Sequence, residues 1–329
     1  MRVGVDVAPL VQTQAGTARW IRGLLAALER RDDVEPVPVG WGGPGRPTAV
    51  LRDVLWYPAL LPHRARRAGL DLVHCTIYRG PLRSRVPALV TVHDLAVLRH
   101  PEAFPAWTRL YARTWLRPTL RAARRLVAVS EFSRRETVEL AGVPPERVDV
   151  VPNAVDPVFT ADGPAAAGEY LLAVGTLEPR KNLPRAIAAA RRAGLELRVV
   201  GARGWGGVEA GGDGVRWLGR VPDEELAALY RGARCLVYPS LYEGFGIPVA
   251  EALACGCPVV TSRESAMSEV AGGAAVLVDP LDPAAIAAGV EEATARRAEL
   301  VPLGLARAGA LTWERAAEAA VGAYRRALG

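Results

Sequence analysis

Short runs of apolar residues alternate with longer amphipathic stretches along almost the whole chain. The short runs are rich in Val, Leu and Ile, which favours strands, and each is followed by a turn signal and then by a helix-like segment. A helix between consecutive strands brings those strands into parallel order, so this alternation predicts parallel α/β units. Twelve strands are predicted, at residues 2–7, 34–39, 71–75, 88–92, 126–129, 148–151, 170–174, 195–200, 215–218, 235–238, 258–261 and 275–278.

One segment interrupts the alternation. Residues 152–164 are rich in Pro, Asn, Asp and Gly, a composition typical of an interdomain linker. We therefore expect two doubly wound domains, 1–153 and 154–311, that face each other across a cleft and bind ligands at the carboxyl ends of their strands. Residues 312–329 are predicted to form one terminal helix, because Thr312 is a good N-cap residue.

The composition narrows the setting of the chain. Its 329 residues are enough for two domains, and no apolar run reaches the roughly 18–20 residues of a membrane-spanning helix. The first seven residues carry an acid within their apolar stretch, which indicates a strand and not a signal peptide. The four cysteines lack the pattern of a disulfide framework or a zinc site. We therefore expect a cytoplasmic protein.

Charge is distributed unevenly along the chain. Residues 1–153 hold 23 basic and 14 acidic side chains, whereas residues 154–329 hold 18 and 21. The positive first part favours anionic partners such as phospholipid or a phosphorylated acceptor; an ordinary arginine-rich surface is the alternative. Nucleic acid is not expected as a partner, because no recognisable binding motif accompanies the charge.

Two segments of the first part combine arginines with aromatic side chains. Residues 107–125 place arginines four apart on one helix face, beside tryptophan and tyrosine, and Pro118 is expected to bend or divide that helix. Residues 56–67 repeat the combination. Basic faces beside aromatic rings suit a peripheral contact with an anionic membrane. Core helices coated with arginine are the alternative interpretation.

Lys181 is the only lysine, since arginine supplies 40 of the 41 basic side chains. In a chain so strongly biased towards arginine, a retained lysine indicates a position that needs a compact ammonium group, as a phosphate oxygen does. Chance survival on the surface is the alternative.

A second candidate site lies in residues 237–251, VYPSLYEGFGIPVAE. A strand is predicted to end near Tyr238, a glycine-bearing loop follows, and a helix is predicted to begin near residue 247. Backbone N–H groups and the dipole at that helix start would suit a phosphate group. Glu243 in the loop and Glu251 about one turn inside the helix would reach a sugar and a ribose.

Residues 243–251 resemble the E-x7-E element of the family 4 glycosyltransferases, which are retaining enzymes of the GT-B fold. Residues 175–183, GTLEPRKNL, resemble the donor-phosphate segment of that family, and residues 92–94, VHD, and Gly16 match motifs of its N-terminal half. The resemblance covers nearly the whole chain in the expected order. It implies two Rossmann-like domains, the first for the acceptor and the second for a nucleotide-sugar donor, with the C-terminal helix crossing back to the first.

The resemblance implies a role for each matching position. Arg180 and Lys181 would neutralise the diphosphate of the donor. Glu243 would bind hydroxyls of the transferred sugar, and His93 would lie near its reacting face. The remaining donor-binding positions would hold phosphate, ribose or base: Gly16, Gly219, Arg220, Val221, Gly244, Phe245, Gly246, Ile247 and Glu251.

Structural roles are the alternative at several of these positions. Arg180 would then pair with Glu178, the His93-Asp94 pair would cap a strand end, and Glu251 would be a surface acid of its helix.

No metal or cofactor is expected, because no Asp-x-Asp element stands where a donor-bound metal would need it. The resemblance implies transfer of a hexose with retention of configuration. The residues of the two motif segments resemble those of mannosyltransferases that use GDP-mannose, which favours mannose as the sugar. The acceptor would be an alcohol or a glycan, free or lipid-linked. The alternatives are a UDP- or dTDP-sugar donor, a nucleotide-sugar epimerase on the same architecture, and a non-catalytic nucleotide-sugar binder.

Overall fold

The computed structural model describes residues 1–12, 16–204 and 206–329, and the chain divides into two compact units. The first unit comprises Met1–Ala154 together with Trp313–Gly329, and the second comprises Val155–Thr312. Each unit contains one six-stranded parallel sheet, which confirms the predicted α/β class.

The sheet of the first unit has the strand order β2-β1-β3-β4-β5-β6. Every residue of β3 and β4 is buried, as expected for central strands covered by helices on both faces. The strands are β1 Arg2–Asp6, β2 Glu35–Val39, β3 Leu72–Cys75, β4 Ala88–Val92, β5 Arg125–Ala128 and β6 Val148–Val150.

Eight α-helices belong to the described part of the first unit: α1 Gly16–Glu29, α2 Arg46–Leu51, α3 Leu61–Arg67, α4 Ala96–Arg99, α5 Ala106–Tyr111, α6 Arg117–Ala122, α7 Glu131–Ala141 and α14 Trp313–Leu328. Two π-helical segments, Arg52–Leu60 and Ala112–Leu116, join α2 to α3 and α5 to α6. The second ends just before Pro118, which lacks an N–H and widens the preceding turn. The predicted division of this helix is therefore present.

The terminal helix α14 packs against α1 and the strands of the first unit, which confirms the predicted return of the chain. The phenol oxygen of Tyr324 lies 2.8 Å from His74 Nδ1, and Thr91 Oγ1 lies 2.7 Å from His74 Nε2. All three side chains are buried. Gly23 of α1 lies directly against the ring of Trp313, where a Cβ would clash.

The sheet of the second unit has the strand order β12-β11-β10-β7-β8-β9. Its strands are β7 Tyr170–Val174, β8 Glu196–Val200, β9 Val215–Gly219, β10 Cys235–Tyr238, β11 Val259–Ser262 and β12 Val276–Val278. Its helices are α8 Leu183–Arg192, α9 Asp223–Gly232, α10 Ile247–Ala254, α11 Ala266–Ala271, α12 Pro283–Ala295 and α13 Arg297–Ala308.

All twelve predicted strands are present, and each begins and ends within one residue of its predicted bounds. Strand positions were predictable because a buried parallel strand reads as a continuous apolar run bounded by turn residues. Within the described ranges, no helix combines the length and apolar character that crossing a bilayer requires.

Candidate active site

The candidate site of the second unit lies where its strand order changes direction. The first strand of this unit, β7, has β8 on one side and β10 on the other. In open α/β sheets, ligands bind at such a switch point, outside the carboxyl ends of the strands. Residues 175–182 follow β7 and residues 239–246 follow β10.

The loop after β7 is a tight turn that fixes the two cationic residues. Pro179–Lys181 form one 3-10 turn, and Asn182 then adopts a left-handed conformation with φ +58° before α8 begins. Asparagine tolerates this conformation better than most residues. Its Nδ2 donates to the carbonyl oxygens of Pro239 at 3.0 Å and of Pro280 at 2.6 Å. Asn182 thus joins the turn to two neighbouring loops.

The loop after β10 is bound to the same turn. The carbonyl oxygen of Arg180 accepts from Leu241 N at 2.7 Å and lies 2.9 Å from Ser240 Oγ. The guanidinium of Arg180 donates to the carbonyl oxygen of Tyr242 at 3.1 Å. Residues 60 to 63 positions apart are therefore held together by direct hydrogen bonds, and the pair Arg180 and Glu243 has the largest of these separations.

Glu243 lies between the two cations. Lys181 Nζ donates to its Oε1 at 2.5 Å, and Arg180 Nη1 donates to its Oε2 at 2.9 Å. Arg180 Nε also donates to Glu178 Oε2 at 2.8 Å. The cluster consequently contains two cations and two carboxylates, so the two cations expected to neutralise a diphosphate are already paired with carboxylates in the protein. The proposed structural pairing of Arg180 with Glu178 exists alongside the pairing with Glu243.

Two hydroxyl groups complete the surroundings of Glu243. Tyr238 Oη donates to Oε1 at 2.9 Å and Ser240 Oγ donates to the same oxygen at 2.7 Å. Burial raises the pKa of Glu243, but the charges of Arg180 and Lys181 outweigh that effect and lower it to about 2. The carboxylate is therefore ionised at neutral pH. Burial lowers the pKa of Lys181, and the charge of Glu243 opposes that shift.

The helix after the second loop begins as predicted. Gly246 adopts φ +99° directly before Ile247, the first residue of α10, and no side chain caps the helix. A Cβ on Gly246 would lie 2.8 Å from Met267 Cγ, so the close packing of α11 also requires glycine here. Gly244 and Phe245 belong to the same loop, which places this helix start next to the ion cluster.

The other predicted positions of the second unit are separate from the ion cluster. Glu251 is buried inside α10 and accepts a hydrogen bond from Tyr230 Oη at 3.0 Å, so it is not a surface acid. Gly219 is the last residue of β9 and has φ +70°, and Arg220 and Val221 follow it. This strand lies two strands away from β7 in the sheet, so these residues lie at the same carboxyl edge.

His93 and Gly16 belong to the first unit. Gly16 is the first residue of α1. His93 follows β4, and its Nε2 lies 2.9 Å from the carbonyl oxygen of Thr76, which can only accept, so Nε2 carries the proton. Burial lowers the pKa of His93, and Trp20 meets its ring edge-on at 5.0 Å. Asp94 Oδ1 accepts from the backbone N of Ala96, the first residue of α4, at 3.0 Å, so this carboxylate has a structural contact in the turn between β4 and α4.

Two family models match the chain, "Glycosyltransferase Family 4" over residues 16–159 and "Glycosyl transferases group 1" over residues 162–301. The chain is also 32% identical to the O-antigen chain mannosyltransferase B of Escherichia coli, over 98% of this chain and 88% of the relative. The chain belongs to the family 4 glycosyltransferases. The resemblance drawn from the motifs is thereby confirmed.

This glycosyltransferase is also similar to a second relative and to a solved structure. It is 34% identical to the D-inositol 3-phosphate glycosyltransferase of Geodermatophilus obscurus, over 74% of this chain and 62% of that protein. The sucrose-phosphate synthase structure from Thermosynechococcus elongatus has a TM-score of 0.76 and 21% identity, and the match covers 99% of this chain and 98% of the other. This structural similarity confirms the GT-B fold.

The sequence did not single out several residues that hold the site of this glycosyltransferase together. Tyr238 and Ser240 hydrogen-bond Glu243, and Asn182 fixes the turn after β7. All of them lie inside the two motif segments. A hydroxyl at the last residue of a buried strand was the available signal for Tyr238, since such a group requires a partner.

Among the residues that the structure describes, no three or more His, Cys, Asp or Glu side chains group as a metal site would require. The four cysteines are buried and unpaired, in agreement with the absence of a disulfide pattern.

The two arginine-rich segments differ from their predicted arrangement. Trp56, Tyr57 and Tyr111 are buried in the core of the first unit, so these rings do not lie beside the exposed arginines. Arg117 Nε and Arg121 Nε donate to carbonyl oxygens at the end of α7, at 2.7 and 2.8 Å. These three rings, together with Arg117 and Arg121, therefore have structural contacts within the first unit.

Proposed function

We propose that this glycosyltransferase transfers a hexose from a nucleotide-diphosphate sugar to an acceptor hydroxyl with retention of configuration, and that its donor is GDP-mannose. The observation that carries this proposal is the cluster of Arg180, Lys181 and Glu243 at the switch point of the second sheet. Similarity to an O-antigen mannosyltransferase over nearly the whole chain supports mannose as the sugar.

The cluster is suited to a diphosphate although its formal charges balance. The side chains of Arg180 and Lys181 remain 19% and 16% exposed, so each can turn N–H groups towards an incoming phosphate. Charge that develops on the leaving diphosphate would be met by donors already held in place, which need no reorganisation during the reaction. The start of α10 would supply further backbone N–H groups.

The donor is tested by incubating the protein with GDP-mannose, UDP-glucose and dTDP-glucose in parallel. We expect GDP-mannose to raise the melting temperature most and to be consumed only when an acceptor glycan is present. Product NMR would show an α-linkage from an α-linked donor if configuration is retained. Preferential stabilisation by a UDP- or dTDP-sugar would contradict GDP-mannose as the donor and would identify that sugar nucleotide instead. An epimerised nucleotide sugar formed without acceptor would contradict transfer.

We further propose that transfer needs no metal ion, because Arg180 and Lys181 supply the positive charge that a metal would otherwise provide. Activity after treatment with EDTA and gel filtration should equal that of the untreated protein. A loss of activity that Mg²⁺ or Mn²⁺ restores would contradict this.

The first unit presents an apolar surface that we propose contacts an anionic membrane. The helix around residues 51–60 buries one face and exposes the other, with Leu51, Val54, Leu55 and Leu60 between 41% and 47% exposed. The helix of residues 106–116 lies beside it, because Trp107 Nε1 donates to Asp53 Oδ2 at 2.9 Å.

Charge complementarity selects phospholipid as the occupant of this surface. Exposed arginines follow it directly in α3, at Arg64, Arg66 and Arg67. Leu110, 48% exposed, extends the apolar area on the neighbouring helix next to Arg109 and Arg113. An apolar face flanked by basic residues is typical of proteins that lie in a membrane interface. A cytoplasmic membrane face would also present a lipid-linked acceptor.

Sedimentation with vesicles tests this contact. We expect binding to phosphatidylglycerol-containing vesicles that salt weakens, and weaker binding by a Leu55→Glu variant. Leu281→Glu in the second unit, where the leucine is 59% exposed, is the matched control and should bind like the parent protein. Absence of salt-sensitive binding to anionic vesicles would refute the proposal.

A further inference from the structure

Tyr238 has a central place among the polar contacts of the ion cluster. It is the last residue of β10 and is buried. Its hydroxyl accepts from Lys181 Nζ at 2.7 Å and donates to Glu243 Oε1 at 2.9 Å. Burial and the charge of Glu243 raise the pKa of Tyr238 well above its ordinary value, so the phenol keeps the proton that it donates.

The contacts of Lys181 determine where its ammonium group can act. An ammonium group has three N–H donors in a tetrahedral arrangement. One is directed at Glu243 Oε1 and a second at Tyr238 Oη, at 2.5 and 2.7 Å. With the Cε–Nζ bond and two N–H directions set, the direction of the third N–H is also set. A guanidinium group, which is planar, could not satisfy the same three directions.

We propose that Tyr238 is a positioning residue, whose hydroxyl acts with Glu243 to direct the third N–H of Lys181 at the diphosphate of the donor. This inference rests on the proposed function for its ligand, but the orientation of Lys181 by Tyr238 exists in the protein without donor. It assigns to Tyr238 an effect on transfer that is exerted through the side chains it contacts, Lys181 first among them.

The groups that face Lys181 predict how loss of the hydroxyl would be observed. They are Glu243 and Tyr238 from the strand β10 and its loop, and Arg180 and Glu178 from its own turn. Burial already lowers the pKa of Lys181. Removal of an acceptor that binds the ammonium form would lower it further, because a hydrogen bond to the charged form favours that form.

The single lysine makes this measurable at one atom. Protein grown with ¹³Cε-lysine would show one lysine side-chain resonance, that of Lys181. Its titration is compared in the parent protein, Tyr238→Phe, Ser240→Ala and Tyr170→Phe. Ser240 donates to Glu243 without contacting the ammonium group. Tyr170 is a buried tyrosine of the same unit whose hydroxyl donates to Leu229 O at 2.8 Å.

In Tyr238→Phe we expect the titration midpoint of Lys181 to fall by about one pH unit and the alkaline limb of kcat/KM to move with it. The kcat/KM for the donor should fall about 10- to 100-fold, the range for a lost hydrogen bond to a charged group. Tyr170→Phe should change neither quantity. Ser240→Ala should leave the Lys181 midpoint at or above its parent value, which keeps the comparison informative if Tyr238→Phe folds poorly.

An unchanged Lys181 midpoint in folded Tyr238→Phe would overturn the inference, and so would a fall in Ser240→Ala as large as that expected for Tyr238→Phe. Failure of the proposed function would look different. The parent protein would then neither transfer a sugar nor show a shift of its lysine resonance on addition of GDP-mannose, whereas the midpoints of the variants would still differ.

Discussion

At the scale of single residues, Lys181 carries the largest expected effect on activity. Lys181→Ala removes one of the two cations of the proposed diphosphate site and should lower kcat/KM by about 100- to 1000-fold, as loss of a hydrogen-bond donor to developing charge does. Lys181→Arg keeps the charge but not the compact geometry, and should remain at least about tenfold below the parent protein.

Arg192→Ala is the control for charge in this series, since Arg192 is exposed at the far end of α8. Sugar transfer and thermal unfolding are measured for all three variants. Undiminished turnover by Lys181→Ala would remove its role at the phosphate.

Glu243 predicts a pH dependence of stability. Its pKa is about 2 in the folded protein against an ordinary 4.5, so the folded state favours the ionised form. The resulting stabilisation, up to about 3 kcal/mol, is present above pH 4.5 and is lost as the pH falls towards 2. Urea unfolding of the parent protein and Glu243→Gln should therefore differ most above pH 4.5 and converge in acid. A constant difference between them would contradict the pKa shift.

At the scale of secondary-structure elements, the start of α10 depends on Gly246. Alanine there would adopt an unfavourable φ of +99° and would also press on Met267. Gly273→Ala is a matched control, because Gly273 has φ +88° and nothing lies within 4 Å of its Cβ position.

We expect Gly273→Ala to cost about 1 kcal/mol in the free energy of unfolding. Gly246→Ala should cost about 1–3 kcal/mol more, the range for overpacking, and should weaken donor binding. Calorimetry of both variants is the measurement. Equal losses would show that the contact with α11 is unimportant.

The arginine-rich segments form helices, but the orientation of these helices does not follow from their sequence pattern. An amphipathic helix is recognised by its period, but the pattern does not tell which face the unit covers. In residues 51–60 the aromatic side chains Trp56 and Tyr57 turned inward, and leucine and valine turned outward. In this segment, the apolar surface of the proposed membrane contact is therefore made by leucine and valine side chains and not by the aromatic rings.

At the scale of the whole molecule, the chain leaves the first unit at residue 154 and returns to it at residue 313. The contact between Tyr324 and His74 is buried, and burial lowers the pKa of His74 to about 3, so the imidazole is neutral and its contacts do not change near pH 7. Loss of this hydroxyl should destabilise the docking of α14 by about 1–2 kcal/mol.

Hydrogen exchange in α14 tests this expectation for Tyr324→Phe. Arg325→Ala is the comparison, because the guanidinium of Arg325 forms an exposed ion pair with Asp33 at 2.7 Å, and exposed ion pairs contribute little to stability. If the amides of α14 are equally protected from exchange in the two variants, the buried hydroxyl of Tyr324 does not stabilise the docking of this helix.

The sequence by itself determined the strands, the start of α10 and the family, because these depend on short-range order. Apolar runs, turn residues and the spacing of Glu243 and Glu251 are all read within about ten residues. The sequence also predicted Arg180 and Lys181 as candidate site residues. Their segment directly follows a strand, and loops that follow strands lie at the carboxyl edge of a parallel sheet.

Only the tertiary structure decided that β7 and β10 are neighbours and hence that Glu243 lies between the two cations. Strand order depends on contacts between residues about 60 positions apart, which local periodicity does not encode. Contacts of the same kind pair Arg180 and Lys181 with carboxylates and make Tyr238 a partner of Lys181. The charged residues of this site can therefore be identified from short sequence motifs. Which hydrogen-bond partners they have is determined by the tertiary packing.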